Sequence, residues 1–282
     1  MPDHSVLLCD ATAIIENGWT RVQAGEPVWG DLDLVDAITT TLRRLDAGEL
    51  RVATQDAPGN WTTHEWIKKA LLLSFRVSQS VLMGPTDSPG YDKVPSKFGD
   101  WDEARFHKAR IRVVPPATVR YSAYLADGVV IMPSFVNVGA HIGADTMIDS
   151  WATVGSCAQV GERCHISAGA CIAGVLEPAQ ASPVVIEDRC FIGAGSVIAE
   201  GVIVEEGAVV SAGVAIDAST PIIDGETGRI HRGRVPTYSV IKSGILPTSG
   251  TDTWSPLVRC AVMVKQVDER TRSKTSINDL LR

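Results

Sequence analysis

A chain of 282 residues can bury a sizeable core as one large domain with appendages or as two domains, and is too short for a multi-module machine. Its 45% hydrophobic and 21% charged residues are those of a soluble globular protein, with no apolar run near the roughly 20 residues of a membrane span, so no membrane partner is expected. A formal charge of −7 argues against general nucleic-acid binding, which needs a basic surface to displace counterions from phosphates.

The first residues, MPDHSVLLCDATAII, lack a basic n-region and a small-residue cleavage site, so the expected compartment is the cytoplasm. Six cysteines without framework spacing and without a C-x-x-C pair read as reduced thiols. From Asp31 to Gly48, apolar Leu34, Val35, Ile38, Leu42 and Leu45 recur at three- and four-residue steps and predict an amphipathic helix that Gly48 ends. A second helix is predicted over His64 to Val77, with Trp66, Ile67, Ala70, Leu71 and Leu73 inside. The segment MGPTDSPGYDKVPSKFGDW then marks the exit from an α-rich N-terminal domain, placed at 1–108.

From there the period changes to six. Val130, Val136, Ile142, Ile148, Val154, Val160, Ile166 and Ile172 form one register, and Ile186, Ile192, Ile198, Val204, Val210, Ile216 and Ile222 a second. Four residues after most of these stands a small or β-branched residue, among them Ala152, Ala158, Cys164, Ala170 and Ser196. Neither an α-helix nor an ordinary strand repeats at six. Three short strands of six residues make one triangular coil, which predicts a parallel β-helix over 109–235, each aliphatic residue stacking on the one eighteen positions later. Between Ile172 and Ile186 the chain exceeds the repeat by two residues when counted in sixes, which predicts a loop at 174–184. The extension at 236–282, preceded by a hairpin in DGETGRIHRGRVP, should supply a strand in CAVMVKQV and a short helix that cap the open end.

Few residues in the repeat invite chemistry. Cys164 and Cys190 fill small corner positions, and Cys157 and Cys171 have no evident histidine partner, so a thiol acyl-enzyme is not expected. His141 and His165 each precede an aliphatic position, where a hydrogen-bonded surface or interface role is expected. They stand out of step with the eighteen-residue coil, and a third ligand would have to be His231 outside the repeat, so no metal is expected. Asp149 stands where neighbouring hexads carry glycine. It either bonds its own turn or, beside Trp151, orients or deprotonates an amine; the residues alone leave both open. Arg112 is either a solvated cation or a fork for a carboxylate.

The segments HEWIKKALLLSFR, YDKVPSKF, RVVPPATVR, MPSFVNVGA, IDSWATVGSCAQVG, GVLEPAQASPVVIED, FIGAGS and EGVIVEEGAVVSAGV resemble the tetrahydrodipicolinate N-succinyltransferase family from about Val35 to Leu281. The resemblance implies a mainly β fold, a left-handed parallel β-helix with the α-rich N-terminal domain and a small C-terminal strand and helix cap. It implies a homotrimer with active sites between subunits, and transfer of a succinyl group from succinyl-CoA to the nitrogen of a cyclic imine dicarboxylate of the diaminopimelate route to lysine. By position, Arg112 matches the residue that binds the acceptor's carboxylate and Asp149 the acid facing its nitrogen. Glu200 is carried over as a second acid from a neighbouring coil, with backbone groups at Ala194 and Ala212 and the ammonium of Lys242 assigned to the CoA arm. Two segments depart from the family pattern. GACIAG ends the first register, and GAGSVIAEG puts Gly195 and Val197 where an arginine and a glutamate are usual. These departures suggest as an alternative a paralogue of tabtoxin-type antimetabolite biosynthesis, acylating a related amino acid with acetyl-CoA. A metal-dependent hydratase and a non-catalytic scaffold on the same repeat are the other readings.

Overall fold

The structure, a computed structural model, describes residues 4–57, 59–84, 89–247, 257–274 and 279–280. Three helices open the chain: α1 (His4–Gln23), α2 (Leu32–Asp46) and α3 (Glu65–Val77). Sequence patterning anticipates α2 and α3 to within a residue or two; α1 carries no comparable signal. Asp31 caps α2 by accepting the Leu34 N–H at 3.0 Å, and Gly48 follows it at φ 75°, a conformation glycine adopts without strain. A side chain at Gly48 would strike the ring of Tyr124, so this glycine also lets α2 dock on the coil. The helices bury Ile15, Leu34, Ile38, Ala70 and Leu73 among themselves, while Ile67 and Leu71 pack with Val138 and Cys157 of the repeat. Of the residues expected inside α3, Trp66 is only half-buried. A hairpin of Ala53–Ala57 and Asn60–Thr63 separates α2 from α3, and a short α4 (Glu103–Ala109) precedes the coils. Pro85 to Ser88 of the expected exit loop lie outside the described residues.

The central chain is a parallel β-helix with three faces. The first face stacks Arg112–Val113, Val130–Ile131, Met147–Ile148, His165–Ile166, Phe191–Ile192 and Val209–Val210. The second stacks Thr118–Val119, Phe135–Val136, Thr153–Val154, Cys171–Ile172, Val197–Ile198 and Ala215–Ile216. The third stacks Tyr124–Leu125, His141–Ile142, Gln159–Val160, Val185–Ile186, Ile203–Val204 and Arg234–Val235. The second residue of nearly every pair points into one continuous core, with Ile142, Ile148, Val154, Val160, Ile166 and Ile172 fully buried. Each such side chain contributes about 1.5–3 kcal/mol by leaving water. The small residues at the corners, Thr146, Ala152, Ala158, Cys164 and Ala170, are buried as expected. The residue just before each adopts positive φ, at Asp145, Trp151, Cys157, Arg163 and Gly169, because the chain must turn sharply once per hexad.

Three details of the repeat differ from the sequence count. Ile131, not Val130, points inward, because the first coils are one residue short of a full hexad. The interruption is larger than a count in sixes shows: Val160 stacks on Ile186, twenty-six positions on instead of eighteen, so eight extra residues leave the coil. The count in sixes hides this because another multiple of six is absorbed in the loop. Ile222 is buried but does not continue the third face, where Val235 takes the place above Val204; Ile222–Asp224 instead pairs with Ile230–His231 and with the C-terminal strand.

The end of the helix is closed by an antiparallel pair, Ser239–Pro247 and Leu257–Gln266. The first of these strands, which sequence patterning does not single out, continues the first face above Val209–Val210. Ala261 and Met263 of the second seal the core from above. A short α5 (Glu269–Lys274) follows.

Candidate active site on one corner of the coil

The corner between the first and second faces gathers most of the residues singled out above. Asp149 follows Ile148 directly, so its backbone N–H is spent on the Ile166 carbonyl one coil above, and its side chain leaves the prism at the corner. Carboxylate Oδ1 accepts the Ser150 N–H at 2.6 Å, the turn-bonding role that an aspartate here could be expected to play. Oδ2 lies 3.7 Å from Nε2 of His165, the outward residue of the next strand on the same face. The side chains are 30% and 40% exposed, so both are open to a solute. Trp151, at φ 61°, stands 72% exposed beside them.

Above this acid the corner is smooth. Gly169 donates to the Ser150 carbonyl at 2.9 Å, Gly195 to Ala168 at 3.0 Å and Gly213 to Ala194 at 2.9 Å, so successive turns lie directly over one another. Ala194 and Ala212 are both exposed on this corner, one coil apart, and none of the described residues crowds Gly169, Gly195 or Gly213. Lys242 is half-buried and follows Ile241 on the continuation of the first face. It stands four coils above Asp149, roughly 19 Å at the spacing of neighbouring strands. Arg112 is exposed on the first face, two strands below Met147, and has no ion-pair partner among the described residues. Arg112, Asp149, Ala194, Ala212 and Lys242 therefore share one side of the prism.

Glu200 does not join them. It is exposed on the next corner, between the second and third faces, beside the turn at Gly201, where a side chain would strike Ser182 of the loop at 174–184. That loop is held from below by Lys68 of α3, fully buried, whose ammonium donates to the carbonyls of Pro178 at 3.1 Å and Ala181 at 2.6 Å. Burial lowers the pKa of Lys68. Cys157, enclosed next to it, has its thiol pushed up to about 12 by the same cause, which makes it a poor nucleophile.

On the third face the N-terminal hairpin lies over a groove of about 1040 Å³ whose walls include Arg51, Trp61, His141, Glu187 and Glu205. Trp61 donates to Glu187 at 2.9 Å and Arg234 donates to both Glu205 and the Gly59 carbonyl, which fastens the hairpin to the coil. His141 is on this face and His165 on the first, so the coil does not bring the two histidines together.

The contact between His165 and Asp149 escapes a reading in sixes. The signal for it is the eighteen-residue step, which sets His165 directly on Met147, two residues from the acid.

Residues 10–77 match a family model described as tetrahydrodipicolinate N-succinyltransferase N-terminal, residues 139–174 match bacterial transferase hexapeptide (six repeats), and residues 183–218 match hexapeptide repeat of succinyl-transferase. A 2,3,4,5-tetrahydropyridine-2,6-dicarboxylate N-succinyltransferase of Paramagnetospirillum magneticum is 60% identical over 88% of this chain and 89% of its own length. One of Parvibaculum lavamentivorans is 52% identical over 98% of this chain and 99% of its own. Among solved structures, a putative 2,3,4,5-tetrahydropyridine-2-carboxylate N-succinyltransferase from Campylobacter jejuni aligns with a TM-score of 0.56 at 20% identity. The alignment covers 81% of this chain and 62% of that one, and at that identity it speaks for the fold alone. With identity above half across nearly the whole length of both chains, the protein belongs to the tetrahydropyridine-dicarboxylate N-succinyltransferase family.

Proposed function

We propose that this chain transfers the succinyl group of succinyl-CoA to the nitrogen of 2,3,4,5-tetrahydropyridine-2,6-dicarboxylate, as an enzyme of the diaminopimelate branch of lysine synthesis in the cytoplasm. The observation that carries the reading is the 60% identity to a relative of that activity over 88% of the chain, joined to an accessible carboxylate at Asp149. The same identity favours this reading over the antimetabolite paralogue and the hydratase.

In this reading water adds across the ring C=N bond, and the nitrogen attacks the thioester carbonyl carbon. The C–S bond breaks, CoA leaves as its thiol, and the ring opens to an acyclic N-succinyl amino-oxo diacid. The nitrogen must shed a proton as the C–N bond forms, and in this reading Asp149 accepts it, one of its oxygens already taking the Ser150 N–H. Arg112 forks onto an acceptor carboxylate from the same side of the prism. Backbone groups at Ala194 and Ala212 line the pantetheine arm, and Lys242 meets a CoA phosphate. We further propose that the coil is left-handed and that three copies associate. Asp149 and Glu200 stand on different corners of one chain, and grooves between copies would set one chain's Glu200 corner against another's Asp149 corner, supplying the second acid.

The test is thiol release from succinyl-CoA and from acetyl-CoA with the cyclic acceptor, together with the sedimentation mass of the purified protein. Release with succinyl-CoA and acceptor together is expected. Release only with acetyl-CoA, or none with either donor, would overturn the reading.

A further inference from the structure

The structure assigns to His165 the role of positioning residue for the Asp149 carboxylate, an inference that rests on the function proposed above. A carboxylate that accepts a proton from a reacting nitrogen needs a fixed plane and an oriented lone pair, since a small misplacement of a reacting group costs large factors in rate. The Ser150 N–H fixes only Oδ1, at 2.6 Å, and leaves the carboxylate free to turn about that contact. The second anchor available to it is Nε2 of His165, 3.7 Å from Oδ2. That separation is longer than a hydrogen bond, and contacts of this kind commonly tighten when the reacting complex forms.

The imidazole is itself well placed to hold still. Its backbone N–H donates to the Cys190 carbonyl at 3.0 Å, and its ring lies against that of Phe191, the outward residue one coil above, with centroids 5.4 Å apart and planes tilted by 36°. Met147 stands below it in the same column, so the imidazole has an outward neighbour on either side along the stack, and its Nε2 lies on the side of Asp149. An Nε2–H pointing at Oδ2 would leave the other lone pairs of the carboxylate for the acceptor.

Three variants test the assignment in steady-state thiol release. His165→Phe retains an aromatic ring on Phe191 and removes the N–H; His165→Gln retains a side-chain N–H of similar reach. The third pairs His165→Phe with Asp149→Asn. His165→Phe is expected to lower kcat about ten- to a hundredfold with the KM for succinyl-CoA unchanged, and His165→Gln to recover part of that loss, since a removed hydrogen bond to a charged group is worth about this much. Because His165 acts through Asp149, the double variant should be no slower than Asp149→Asn alone, whereas independent roles would multiply. Wild-type kcat in His165→Phe, or a double variant slower by the full product, overturns the inference. If His165→Phe does not fold, as judged by its thermal transition, His165→Leu takes its place as the variant without an N–H, with the same expected loss and the same overturning results. A wild-type enzyme without thiol release would remove the proposed function itself, while an active wild type with an inert Asp149→Asn and a fully active His165→Phe would remove this inference alone.

Discussion

His141 and His165 occupy the same place in their hexads, each just before an inward isoleucine, yet their surroundings differ completely. His141 is roofed by the N-terminal hairpin on the third face, its ring 4.8 Å from that of Tyr124 and its Nδ1 buried without a hydrogen-bond partner among the described residues. Burial first, and the nearby Arg51 second, push its pKa down to about 3. His165 stands on an uncovered part of the first face beside a carboxylate. The repeat thus offers equivalent positions, and what packs on each face decides whether a position becomes structure or a candidate for chemistry.

That contrast can be broken most decisively at the open corner. Asp149→Asn should lower turnover about a hundred- to ten-thousandfold with an unchanged thermal transition, because an amide cannot accept the proton. Thiol release near the wild-type rate in that variant would strip the corner of its assigned chemistry. A smaller effect is expected one step away, where Arg112→Ala should raise the acceptor KM about tenfold to a hundredfold, the worth of a charge-assisted contact, and leave the KM for succinyl-CoA alone. Equal changes in both constants would count against a carboxylate fork.

The covered side should answer in stability instead. Lys68→Ala leaves the Pro178 and Ala181 carbonyls without their donor, which should cost about 2–4 kcal/mol in urea unfolding. It should also open the loop at 174–184 to proteases, and a loop as resistant as in the parent would show that other contacts hold it. The smallest effect is predicted for His141→Phe at neutral pH, where one planar ring replaces another beside an open groove that can take the extra volume, at a cost of less than about 1.5 kcal/mol. Acid separates the two proteins. Between the ordinary histidine value of 6.5 and the native value of about 3, the unfolded chain carries a proton at position 141 that the folded chain does not. The native histidine therefore loses stability as pH falls through that window, and His141→Phe removes the loss. Unfolding midpoints at pH 7 and pH 4.5 should converge more in the variant; an equal drop in both would dismiss His141 as a source of acid sensitivity.

Much of this architecture is legible in the sequence because a coil of three short strands forces the same choice at every sixth residue. Ile148, Val154, Val160 and Ile166 announce the stack, and Ala152, Ala158 and Cys164 its corners, since any polar or bulky residue there would be felt in a close-packed core. The same regularity conceals departures from it. One residue missing near Val130 moves the inward position to Ile131, and the eight-residue excursion after Ile172 hides behind a count in sixes. Of the candidate site, Asp149 and Arg112 can be chosen from residue type and resemblance, whereas the separation of Glu200 from them depends on which corner each hexad reaches.

The amino-acid order by itself determined the prism: its period, its aliphatic core and the small residues at its turns are local consequences of burial repeated along the chain. It could not say which outer positions meet. The approach of His165 to Asp149, the clasp of Lys68 on a loop more than a hundred residues away and the enclosure of His141 are made by chain segments that fold onto one another from a distance. Such contacts are settled only when the coils stack and the helices dock, because a side chain's charge and reach are fixed by its neighbours in space and not by its neighbours in sequence.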